Sequence, residues 1–192
     1  MQAPTINREQ WLTDMIGKLR PMFKDASAPL PDNIRVTCGW PSRCALSAKK
    51  RRIGECWPTQ ASADQTHEIL ISPAISEGTE VAAVLVHELI HVAVGTAAGH
   101  RAPFSRLAKT IGLVKPWTAT VAGPELTTRL NVLITTPYPH AKLDARQSGR
   151  KKDGTRLLKL ECPDCGYTVR TTAKWIEIGY PTCPCGTEMT RA

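Results

Sequence analysis

Val81-Ala82-Ala83-Val84-Leu85-Val86-His87-Glu88-Leu89-Ile90-His91 is an apolar run that ends in His-Glu-x-x-His. On a helix, residues four apart share a face, one turn above each other. His87 and His91 can then grip one zinc ion, with Glu88 placed to take a proton from a water that the ion activates. In a chain with five His, so short a string arises by chance in roughly one case in 150, so its surroundings must decide. The bland alternative is a pair of core histidines bonded to backbone. Two imidazoles in an otherwise apolar helix are costly to bury without partners, which weighs against it.

The surroundings supply a helix and a further ligand. Thr79 is the expected N-cap, with Glu80 favourable in the first turn and Gly95 as the stop after Val94. A catalytic zinc needs three protein ligands and an open position. His100, in Gly99-His100-Arg101-Ala102-Pro103-Phe104, is the candidate third ligand, since Gly95 and Gly99 bracket a turn that could fold it back. Glu125 is the runner-up. Metzincins place their third His six residues after the second; here the interval is nine, which disfavours that subclass.

A second metal signal lies near the other end. Cys162-Pro163-Asp164-Cys165-Gly166 is a metal-knuckle sequence, answered by Cys183-Pro184-Cys185-Gly186. Between them Tyr167 to Thr172 is rich in β-formers. Two cysteine pairs separated by about a hairpin predict a four-Cys structural zinc ribbon, although Cys-x-Cys is one residue shorter than the usual second knuckle. A disulfide pair or free thiols are the alternatives; a segment this short buries too little core without a metal or crosslink. Cys38, Cys44 and Cys56 do not share the spacing and are expected to be idle thiols rather than, with His67, a third site.

In combination, His87-Glu88-Leu89-Ile90-His91, then Gly99-His100-x-x-x-Phe104, then a C-terminal cysteine ribbon resembles the SprT-like family of zinc metallopeptidases. That family includes the Spartan-type proteases, which degrade proteins crosslinked to DNA. The likeness spans residues 5–192, with a shorter interval between His91 and His100 than is familiar in the family. It implies a zincin-like fold, zinc held by His87, His91 and His100, and Glu88 as general base.

The remaining pattern is α+β. Asn7–Phe23 carries Trp11, Leu12, Met15, Ile16, Leu19 and Phe23 at helical spacing, with Asn7 and Gln10 as a cap. Strands are expected at Ile34–Cys38, Gly54–Trp57 and His67–Ile71, and helices at Pro103–Ile111 (with Gly112 as its stop) and Pro124–Ile134. The expected division is a zincin-like domain of helices on a small antiparallel or mixed sheet over 1–140, a basic linker over 141–156 and the β ribbon over 157–192, beginning with Leu157-Leu158-Lys159-Leu160.

Charge points to a partner. Lys and Arg number 25 against 17 Asp and Glu, a formal net charge of +8. Lys49-Lys50-Arg51-Arg52 is one cluster, and Arg146, Arg150, Lys151, Lys152, Arg156 and Lys159 form another. Such clusters neutralise phosphates, or are merely solvated loops. The ribbon and the resemblance favour DNA, bound without base-specific readout, with Trp40 and Trp57 either stacking on bases or lying in the core. No apolar run reaches the roughly 18 residues of a membrane span, and an odd count of seven cysteines with no signal-like segment suits a reducing cytosol. The chain is therefore expected in the cytoplasm, with the nucleoid or nucleus if DNA-bound.

These features predict a zinc metalloendopeptidase with a protein or peptide substrate, one catalytic and one structural zinc. The rival is a catalytically idle DNA- or transcription-associated protein, against which an intact Glu88 argues. His67–Ile71 is expected as the sheet edge that receives substrate. Arg101, Tyr138 and His140 are the candidate oxyanion donors.

Overall fold

A computed structural model describes residues 6–47, 49–139, 142–144 and 157–192. The chain divides into two compact units, Met1–Arg146 and Gln147–Ala192. The expected linker lies outside the described residues apart from Lys142 to Asp144.

The first unit is built around one helix. α1 (Arg8–Asp25) opens with a reciprocal cap in which Asn7 accepts from the Gln10 backbone and the Gln10 side chain accepts from the Asn7 backbone. Its apolar stripe, Trp11, Leu12, Met15, Ile16, Leu19 and Phe23, is buried as the periodicity required. β1 (Ile34–Cys38), β2 (Gly54–Trp57) and β3 (His67–Ile71) come next, with the expected bounds. α2 (Gly78–Val94) carries the His-Glu-x-x-His string and is buried from Val81 through Val86 and again at Leu89, Ile90 and Val92. A helix apolar on nearly every side must be enclosed by other elements. Accordingly α1, β2, β3, α3 (Ala102–Ile111) and α4 (Pro124–Leu133) all pack on it.

Two expectations about this unit are corrected. The N-cap of α2 is Glu77, not Thr79; Thr79 lies inside the first turn, where its hydroxyl is 2.7 Å from Asn131 Oδ1 on α4. β3 is not an edge. The sheet order is β1-β3-β2, with β3 parallel to β1 and antiparallel to β2. Ile69 and Ile71 of β3 are fully buried, and a strand with both inward positions in the core is best covered on both sides. The edges are β1 and β2. A short hairpin, β4 (Leu113–Val114) with β5 (Val121–Ala122), was not foreseen; two-residue strands carry too little pattern to be read.

The second unit is a three-stranded antiparallel sheet of order β7-β6-β8, from β6 (Leu157–Glu161), β7 (Thr168–Thr172) and β8 (Thr190–Arg191), with a short α5 (Ala173–Ile176). Among the described residues its buried cluster is Leu160, Cys162, Cys183 and Met189. No helix among the described residues is long and apolar enough to cross a membrane.

Candidate metal centres

α2 sets His87 and His91 one turn apart, and the segment after Val94 returns the chain to them. Gly95 (φ 83°) and Gly99 (φ 52°) hold left-handed backbone on either side of a 3-10 turn at Thr96–Ala98. Residues with a Cβ adopt such angles reluctantly, so the two glycines permit the reversal. It delivers His100, whose Nε2 lies 3.1 Å from His87 Nε2 and 3.2 Å from His91 Nε2. Nitrogens bound to one tetrahedral ion at about 2.0–2.1 Å sit roughly 3.3–3.4 Å apart, so the spacing suits a zinc-sized ion.

The chemistry of the donors agrees. Burial, and then the neighbouring imidazoles, push His87 down to about 3 and His91 to about 4. Burial followed by the charge of Arg52 lowers His100. All three rings are thus neutral at pH 7, the form that ligates metals. His87 Nδ1 lies 2.7 Å from Thr120 Oγ1. With its proton donated there, His87 offers only a lone pair on Nε2, which an ion satisfies better than a ring of facing nitrogens.

The rings stand on Phe104. Its centroid is 4.8 Å from that of His87, 4.6 Å from His91 and 4.9 Å from His100, and its side chain is fully buried. The phenylalanine of Gly-His-x-x-x-Phe therefore forms the floor of the cluster. α3 holds it there through Leu107, Ala108 and Ile111 on the same face.

Glu88 points toward β2 and is nearly buried, at 6% exposure. Burial pushes its carboxyl up to about 8; the charge of Arg52 opposes this and that of Glu55 adds to it. Across from it Gly54 leaves the space that the carboxylate fills, since a Cβ there would meet Glu88 Oε1 at 2.3 Å. Beside Gly54, Glu55 accepts from Ser42 N (2.7 Å), Ser42 Oγ (2.7 Å) and Arg52 Nη1 (2.6 Å).

The other sequence candidates fall elsewhere. Glu125 is exposed in the first turn of α4 and is not in the group of converging ligand atoms. Tyr138 is buried, stacks edge-on against Trp11 and donates toward Cys38 Sγ. It lines a hollow of about 430 Å³ with Glu77, Thr79 and Asn131 at the opposite end of α2 from the histidines, so it is no oxyanion donor. His140 lies outside the described residues, and Arg101 is the exposed cap of α3. Thr120, Gly54, Glu55 and Arg52 were missed as members of this site. Only Arg52 carried a signal, as part of a basic run.

In the second unit Cys162, Cys165, Cys183 and Cys185 bring all four sulfurs within 4.8 Å of one another. Cys162 and Cys185 are 3.5 Å apart and Cys165 and Cys183 3.4 Å, far beyond a disulfide. Backbone donation from Thr187, followed by Cys183, holds the Cys185 thiol down to about 6, toward the thiolate a metal requires. The shorter Cys-x-Cys pair therefore still closes the set. These two groups could each hold a metal ion and are compatible with zinc; among the described residues Cys38, Cys44, Cys56 and His67 form no third.

No protein-family model matches the chain, and neither curated proteins nor solved structures give a match.

Proposed function

We propose that this chain is a zinc-dependent metalloendopeptidase of the SprT-like kind, acting on DNA-associated proteins, with a catalytic zinc on His87, His91 and His100 and a structural zinc on Cys162, Cys165, Cys183 and Cys185. The observation that carries the reading is the convergence of three imidazoles, two of them on the same helix as the buried carboxyl of Glu88. A purely structural site has no use for a base at that position.

When bound, zinc polarises the scissile carbonyl and makes a water more acidic. Glu88 accepts that water's proton as the oxygen adds to the carbonyl carbon and the C=O π pair moves onto the carbonyl oxygen. The same carboxyl then hands the proton to the leaving nitrogen as the C–N bond breaks, giving an acid and an amine. Thr120 fixes the tautomer and tilt of His87. β2 is paired in the sheet only to β3, so its other edge can take substrate as an added strand alongside Gly54 and Glu88. The DNA part of the reading rests on charge: seven Lys and Arg lie between Lys142 and Lys159, against Asp144 and Asp153.

The test is Glu88→Gln in the zinc-loaded chain, assayed on a DNA-bound protein. Loss of proteolysis at unchanged zinc content is expected. Proteolysis that persists in the variant, or is absent from the zinc-loaded wild type, refutes the reading.

A further inference from the structure

The basic run Lys49-Lys50-Arg51-Arg52 lies in the loop that joins β1 to β2, and the fold gives that loop a definite shape. Both of its ends are fastened to the end of β3. Gly39 N donates to Ile71 O and Ser72 N to Ile53 O, each at 2.9 Å. Further out, Cys44 O accepts from Ser47 N at 3.2 Å and from Arg52 N at 3.3 Å. Arg51 Nε donates to Ser47 O at 3.4 Å, and Ser42 bonds Glu55 through both its amide and its hydroxyl. Pro41 and Ala45 are buried. The loop is therefore closed on itself and carries its side chains at defined places.

Its charge is of one sign. From Gly39 to Gly54 the chain has five Lys and Arg and no Asp or Glu. The next acid, Glu55, is 8% exposed and already holds Arg52 at 2.6 Å. Arg43, Lys49 and Lys50 are exposed, and among the described residues their side chains make no ion pair or hydrogen bond. Such a group repels itself and gains when an anion arrives. A nucleic acid offers several phosphates at once and releases condensed counterions when they are neutralised. A membrane surface is the other common polyanion, but stable attachment there takes an apolar element beside the charge. The loop exposes a single large aliphatic side chain, Leu46.

We propose that the β1–β2 loop is a DNA-backbone contact in its own right, with Arg43, Lys49 and Lys50 meeting phosphates, separate from the basic stretch between Lys142 and Lys159. The inference rests on the DNA part of the proposed function and places a DNA contact on the first unit. The loop runs directly into Gly54, whose α-carbon abuts the carboxylate of Glu88. DNA held on the loop therefore lies at the same end of β2 as the proposed base.

The test uses the full zinc-loaded chain and a short DNA duplex of random sequence, with affinity measured at several salt concentrations. Changing Arg43, Lys49 and Lys50 together to Gln should weaken binding by about tenfold or more near 0.1 M salt and reduce the slope of log K against log salt by about two to three. The charge-keeping set Arg43→Lys, Lys49→Arg and Lys50→Arg should bind as wild type does, since phosphate neutralisation needs the charge. Arg106, Lys109 and Arg129, exposed on α3 and α4, changed together to Gln remove equal charge elsewhere and should leave the slope unaltered. If the wild type binds DNA and the loop Gln variant matches it, this inference alone is wrong. An equal loss in the α3 and α4 variant would reduce the effect to net charge, and an equal loss in the charge-keeping set would reduce it to loop shape; either overturns the proposal. Unchanged DNA affinity with lost binding to phosphatidylserine vesicles would make the loop a membrane contact instead. A wild type that binds no DNA would remove the DNA part of the proposed function itself.

Discussion

The α-carbon of Gly54 and the carboxylate of Glu88 occupy one tight contact. A Cβ built on Gly54 would lie 2.3 Å from Glu88 Oε1, 3.0 Å from its Cδ and 2.7 Å from Val84 Cγ1. The wall that confines the proposed base is thus bare backbone of β2. The glycine is needed for close approach and not for an unusual backbone angle.

Gly54→Ala should displace Glu88 without touching the histidines. We expect kcat to fall on the order of 10²-fold, as for a catalytic group misplaced by about 1 Å, at unchanged zinc stoichiometry. Activity equal to wild type would mean that the carboxylate works from some other position.

Thr120→Val removes the acceptor for His87 Nδ1 while keeping the side chain's shape. Zinc affinity at the histidine site should drop by about 10–100-fold, measured by competition with a chromophoric chelator. An unchanged affinity would show that the Thr120 contact does not orient the ring.

Two of the four buried residues among the described residues of the second unit are Cys162 and Cys183, so its core and its candidate metal site are nearly the same object. Cys162→Ser should release one zinc per chain and unfold this unit alone, because metal binding supplies most of the folding free energy of so small a module. Amide hydrogen exchange should show protection lost in β6 and β7 and retained in α2. Protection that survives in β6 would separate fold from metal.

Glu55 gives an acid-side signature. Its burial alone would raise the carboxyl, but donation from Ser42 and Arg52 outweighs that and lowers it overall. A group lowered on folding contributes stability above its unfolded value, near 4.3, and loses it as pH falls through the folded value. Wild type should therefore lose stability more steeply below about pH 4 than Glu55→Gln, while Glu55→Gln should be less stable at pH 7. Parallel stability curves for the two proteins would contradict this.

Neutralisation of Arg150, Lys151 and Lys152 to Gln tests the DNA expectation. DNA affinity should fall, and the slope of log K against log salt should shrink by about three, with cleavage of a small peptide unchanged. An unaltered slope would show that these residues do not meet phosphate.

Much of this architecture is legible in the chain because its causes are local. The capping box of Asn7 and Gln10, the alternation over Ile34–Cys38 and the four-residue step from His87 to His91 act within one or two turns or a single strand. The candidate ligands come from the same short-range logic, since His100 and the cysteine pairs are announced by their glycines and spacing. Strand order was not legible. β3 lies between two strands that it does not separate in sequence, and that choice depends on which faces are buried against α2. Thr120 and Phe104 show the same division. Phe104 was visible as part of a motif, but its role as the floor beneath three imidazoles was not. Thr120 had no motif at all and reaches His87 across 33 residues. Spacing along the chain determined the chemical groups and the elements that carry them. Only long-range packing decided that Gly54 at the start of β2 would close on Glu88 and Thr120 on His87, because burial acts on surfaces brought together after those elements form.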